Sequence, residues 1–119
     1  MSEVRRYLAT LIAVISIAAC SGDGAANGPI SGEAVAGALG CLACHTDTDT
    51  NSGTTLKGIW GSSVKLDDGS VVTVDEAYVI RSIEEPQADI VAGYAASMPR
   101  IPMSEEEKSA LVDYIESLG

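Results

Sequence analysis

Two thiols and an imidazole stand close together at Cys41-Leu42-Ala43-Cys44-His45. Cysteines separated by two residues and followed at once by histidine form the pattern by which c-type haem is attached. The spacing has a physical basis. Two thiols on one helical turn reach the two vinyl groups along one porphyrin edge and form thioethers. The next residue then lies beneath the macrocycle, where its imidazole can bind iron. His45 is the single histidine of the 119-residue chain.

Other uses of a Cys-x-x-Cys pair fit less well. A thioredoxin-like redox pair requires a βαβ context, and the chain shows no such alternation. Structural zinc takes four Cys or His ligands. A plain Cys41–Cys44 disulfide would be geometrically tight and would leave His45 unexplained. The second axial ligand is then sought among the methionines, since a thioether favours ferrous iron and raises the potential of electron-transfer haems. Met98 stands in Gly93-Tyr94-Ala95-Ala96-Ser97-Met98-Pro99, a loop able to remain extended across the distal face. Met103 directly precedes a helix cap and is the alternative. As a third option, both methionines are apolar filler and the sixth position is open.

The elements that position these groups are short. Ser31 caps a helix running to Leu39, with Glu33 in its first turn. Residues 46–55 (TDTDTNSGTT) are polar and read as a loop, followed by a turn-rich stretch around Trp60. Asp68-Gly69 between two short apolar runs marks a small hairpin near 64–74. Over 75–85 the pattern is helical, with Tyr78, Val79, Ser82 and Ile83 on one face and Pro86 ending it. Residues 93–103 read as extended loop. Ser104-Glu105-Glu106-Glu107 is a capping box, and Leu111, Tyr114, Ile115 and Leu118 share a face of the last helix. The expected fold class is all-α, with at most that tiny hairpin.

At its start the chain has the layout of an export signal over residues 1–19: Arg5 and Arg6, then an apolar run to Ala19. The run is shorter than the roughly 20 residues that span a bilayer. Small residues before Cys20 resemble a bacterial lipoprotein signal, in which that cysteine is lipidated and becomes the new N-terminus. Residues 20–30 follow as lipidated cysteine and flexible tether, of which the ten residues after Cys20 reach roughly 18 Å on average. The domain proper is 31–119. Lipid on Cys20 and thioethers on Cys41 and Cys44 would leave no stray thiol in an oxidising compartment.

The whole chain has a formal charge of −10. Loss of residues 1–19 leaves five basic and sixteen acidic side chains, a formal charge of −11. Such acidity excludes nucleic acid as a partner, because phosphates are bound by Lys and Arg. It suits redox protein partners with a basic docking face, where complementary charge speeds encounter. There is no Phe, and beyond residue 19 the aromatic residues are Trp60, Tyr78, Tyr94 and Tyr114. A core this thin is marginal without a cofactor.

Several motifs in order carry a family resemblance: Cys41 to His45, Leu56-Lys57-Gly58-Ile59-Trp60-Gly61, Asp67-Asp68-Gly69-Ser70, Asp75-Glu76-Ala77-Tyr78 with Ser82-Ile83, Gly93-Tyr94, Met98-Pro99 and Ser104 to Glu107. Over residues 31–119 the chain resembles a class I cytochrome c, and most of all the cytochrome c domain fused to subunit II of caa-type haem–copper oxidases. The resemblance implies the cytochrome c fold around one covalent haem c, with the first and last helices crossing. It further implies His45 and Met98 as axial ligands, and electron transfer in a respiratory chain without catalysis of its own. It extends to neither a copper domain nor oxidase helices. Where the family has Gly-Pro-x-Leu, this chain has Gly53-Thr54-Thr55-Leu56. In the family the proline carbonyl accepts the proximal imidazole's hydrogen bond. Thr54 keeps the carbonyl but lacks proline's fixed φ. Trp60 has an indole N–H that can reach a haem propionate. A haem enzyme with an open sixth site, acting on peroxide, and a haem subunit of a larger complex are the alternative functions.

Overall fold

The computed structural model describes residues 28–119, so the expected export signal, Cys20 and most of the expected tether lie outside the described residues. The described residues form three α-helices and one two-stranded antiparallel sheet: α1 (Gly32–Ala38), β1 (Ser63–Lys65), β2 (Val71–Thr73), α2 (Glu76–Glu84) and α3 (Glu105–Ser117). A single 3-10 turn, Cys41–Ala43, follows α1.

This arrangement corrects the all-α expectation and the class I cytochrome c fold with it. About 35% of the described chain is helical, and the fold is a small mixed α/β one. The β content has clear causes. Gly69 takes a φ of 88°, which a turn after Asp68 demands and which glycine adopts without steric cost. Ser63, Val64 and Lys65 then pair with Thr73, Val72 and Val71. A distant segment lies along the same edge. Asp67 N–H donates to Ile90 O at 2.8 Å and Ala92 N–H to Lys65 O at 2.9 Å, flanking a Leu66–Val91 bridge. That long-range pairing is invisible in a local pattern.

The helices start where their caps stand. Asp75 accepts the Tyr78 N–H at the head of α2. At α3, Ser104 Oγ accepts from Glu107 N–H while Glu107 accepts from Ser104 N–H, the reciprocal capping box. The buried face of α3 is Lys108, Leu111, Val112 and Ile115, with Tyr114 half-buried. A lysine holds the first of these core positions because its ammonium is fully engaged. Lys108 Nζ donates to Glu84 at 2.6 Å and also to Glu105, joining α3 to α2. The carboxylates beside it hold the Lys108 ammonium above its usual range, Glu105 first. Lys108 in turn lowers Glu84.

α1 packs against α3 at a point where only glycine fits. A Cβ on Gly32 would lie 2.0 Å from Ala110 O and 2.5 Å from Tyr114 Cβ. Backbone on one side leaves no room to yield, so Gly32→Ala must push the helices apart. We expect a loss of about 3 kcal/mol, read as a lowered midpoint of thermal unfolding in the complete protein. An unchanged midpoint would contradict this packing.

The buried apolar residues are Val35, Ala36, Leu66, Val74, Val79, Ile83, Leu111, Val112 and Ile115. All but Leu66 form one cluster, ringed by half-buried Leu39, Leu56, Ile59, Trp60, Tyr78, Met98 and Met103. Among the described residues no aromatic side chain is itself buried.

Candidate functional site

The described core is split by an open cleft of about 1020 Å³, counting the space at its mouth. Its walls are mostly aliphatic: Leu56 and Ile59 from the turn-rich segment, Val79 and Ile83 from α2, Leu111 and Ile115 from α3. Cys41, His45 and Met98 line it as well. The structure therefore brings four of the sequence-predicted site residues, Cys41, His45, Thr54 and Met98, to one cavity. Cys44 is exposed, at the position that caps the 3-10 turn, and does not line the cleft. Both thiols are free.

Residues 41–45 form a tight local unit. Cys44 N–H and His45 N–H both donate to Cys41 O, at 3.2 and 2.9 Å. This turn sets His45 into the cleft with Cys41 beside it. Burial pushes the Cys41 thiol up. Redox-active pairs rely on a depressed thiol pKa, the opposite direction.

The imidazole is oriented from behind. His45 Nδ1 lies 2.8 Å from the Thr54 carbonyl oxygen. A carbonyl can only accept, so Nδ1 carries the proton and Nε2 keeps a free lone pair. Gly53 makes this approach feasible: a Cβ there would lie 3.0 Å from Cys44 O and 3.2 Å from His45 Nδ1 and Cε1.

Two further side chains hold the segment that supplies the carbonyl, and sequence reasoning passed over both. Thr50 Oγ1 lies 3.1 Å from Cys44 O and 3.3 Å from Gly53 O, and accepts from Ser52 N–H and Gly53 N–H. Asp49 Oδ1 accepts from Thr55 N–H at 2.8 Å. The only sequence signal was a polar loop rich in Asp and Thr, which marks turns without saying which one.

The methionines separate. Met98 is half-buried at the cleft, and Gln87 Nε2 donates to its carbonyl at 3.1 Å. Met103 lines a different hollow with Ile83, Glu84, Arg100, Ile101, Pro102 and Lys108. Trp60 is half-buried against the core and does not line the cleft.

Polar groups reach the cleft at one side. Tyr78, Ser82 and Asp89 line it, and Asp89 is paired with Arg81 at 3.0 Å. Burial pushes the Tyr78 phenol up. Among the described residues no group of three or more His, Cys, Asp or Glu is placed to hold a metal ion. No described helix is long and apolar enough to cross a membrane. In comparisons with known proteins, no family model and no curated protein matches this chain.

Proposed function

We propose that the chain is a mono-haem c-type cytochrome that passes single electrons between proteins of a membrane-associated respiratory chain. The observation that carries this reading is the oriented His45 imidazole: Nδ1 is tied to the Thr54 carbonyl, Nε2 is free, and the ring lines an aliphatic cleft shared with Met98. The residues fit a covalently attached haem. Cys41 and Cys44 are free thiols two residues apart on one turn, His45 supplies a nitrogen ligand, and Met98 supplies a thioether.

Such a group supplies a one-electron iron couple when bound. The chain's own residues do the rest. Leu56, Ile59, Val79, Ile83, Leu111 and Ile115 exclude water, which favours a compact, weakly hydrated redox site. The carbonyl behind His45 raises the basicity of the imidazole. Met98 as a soft ligand favours the reduced state. With His45 and Met98 both available to hold the iron, the site would move electrons and leave no position for a substrate. His45 is the single histidine of the chain, so a second imidazole for peroxide acid–base chemistry is not available.

The strong negative charge suits a partner with a basic docking face, and attachment of a lipid at Cys20 would keep the domain at the outer face of a membrane. A redox titration followed in the visible spectrum tests the function. It should fit a single one-electron curve, fully reversible. Peroxide turnover, or two-electron behaviour, would point instead to a haem enzyme.

A further inference from the structure

We infer that Thr50 is a positioning residue for His45, clamping the Thr54 carbonyl against the imidazole in a segment that has no proline to fix it. The inference rests on the reading of His45 as an iron ligand. Its basis is the closed geometry of residues 44–55. Thr50 Oγ1 has one proton to give and lies 3.1 Å from Cys44 O and 3.3 Å from Gly53 O. It also accepts from Ser52 N–H at 3.1 Å and Gly53 N–H at 3.2 Å. In the other direction, Thr50 N–H donates to Gly53 O at 3.0 Å.

One hydroxyl thus joins the residue before His45 to the residue before Thr54. These are the two backbone points that bracket the His45 Nδ1–Thr54 O hydrogen bond of 2.8 Å. On the far side of Thr54, the Asp49 carboxylate takes the Thr55 N–H at 2.8 Å. Thr54 is therefore pinned on both flanks by side chains of one short loop. The loop can close this tightly because residue 53 is glycine: a Cβ there would meet Cys44 O at 3.0 Å and the imidazole at 3.2 Å. The hydroxyl-to-backbone bonds restrict the segment much as a ring would restrict φ, by a different means.

The consequence is electronic as well as structural. A carbonyl held on Nδ1–H increases electron donation from Nε2, which favours ferric iron. Releasing the clamp weakens that bond and moves the midpoint potential upward.

The test uses the haem-loaded protein and three variants. Thr50→Val keeps the β-branched shape and removes the hydroxyl. Thr50→Ser restores the hydroxyl. Thr48→Val alters a neighbour whose side chain makes none of these contacts. In Thr50→Val the potential should rise, and solvent exchange of the His45 Nδ1 proton, followed by NMR, should quicken about tenfold, the equivalent of one hydrogen bond. Thr50→Ser should return both to wild type, and Thr48→Val should leave both unchanged. If Thr50→Val lowers only the unfolding temperature, with potential and proton exchange unmoved, Thr50 is merely structural and the inference falls. Failure of Thr50→Ser to rescue overturns it too. A wild-type chain that takes up no covalent haem overturns the function itself, an outcome read before any variant is compared.

Discussion

Met98→Ala should lower the midpoint potential by on the order of 0.2 V, a fraction of the range over which axial ligands tune haem. Its reduced form should bind carbon monoxide rapidly where the wild type does not. The expectation follows from placement. Met98 lines the cleft that holds His45, and the Gln87 amide fixes its backbone by donating to Met98 O at 3.1 Å. Pro99 follows and disfavours a helical turn at residue 98. The side chain is thus presented from extended chain. Met103 offers the control, since it packs in a separate hollow near Ile83 and Lys108. Met103→Ala should cost stability, about 2 kcal/mol for a half-buried methionine, while leaving the potential and the weak red charge-transfer band of a thioether-ligated haem in place. If Met103→Ala abolishes that band and Met98→Ala spares it, the ligand assignment is reversed.

The second large effect is on folding. Made without haem, the chain should lose its cooperative unfolding transition or melt about 20 °C or more below the loaded protein. The buried cluster contains no aromatic residue and borders an open cleft. Four half-buried aliphatic side chains line that space: Leu56, Ile59, Ile90 and Val91. Fully covering one such side chain contributes about 1.5–3 kcal/mol. Partial cover of these four therefore amounts to on the order of 4 kcal/mol, which rivals the whole stability of a small domain. Each kcal/mol shifts the midpoint by about 4–8 °C at this size. Differential scanning calorimetry of the two forms decides the matter. Equal midpoints would mean that the core closes without a cofactor.

Local signals were read well where the chain's own chemistry decides. Ser104 to Glu107 announces the head of α3, and Asp68-Gly69 the hairpin, because each depends on residues within four positions. The all-α expectation failed because the hairpin, itself a local feature, pairs as a two-stranded sheet, and a further segment joins its edge from far along the chain. Residues 90–92 reach back to Lys65 and Asp67 across more than twenty positions and extend the sheet edge, whereas periodicity counts only neighbours. Lys108 is a related case. A helical wheel puts it one turn before Leu111 and Val112, yet its burial is tolerable only because Glu84 and Glu105 surround it, and Glu84 comes from another helix. At the site, Cys41, His45 and Met98, singled out by type and spacing, line the cleft, and Cys44 does not. The Thr50 hydroxyl was not legible, since a loop of alternating Asp and Thr permits many hydrogen-bond patterns and only the folded chain selects one.

The measurement that bears most directly on the central claim is the visible and mass spectrum of the chain after complete denaturation, when made alongside haem-attachment machinery. Haem absorbance should stay with the polypeptide, with one haem per chain and the added mass on the peptide containing Cys41 and Cys44. Haem that separates on denaturation, or a chain that never acquires it, would contradict the account.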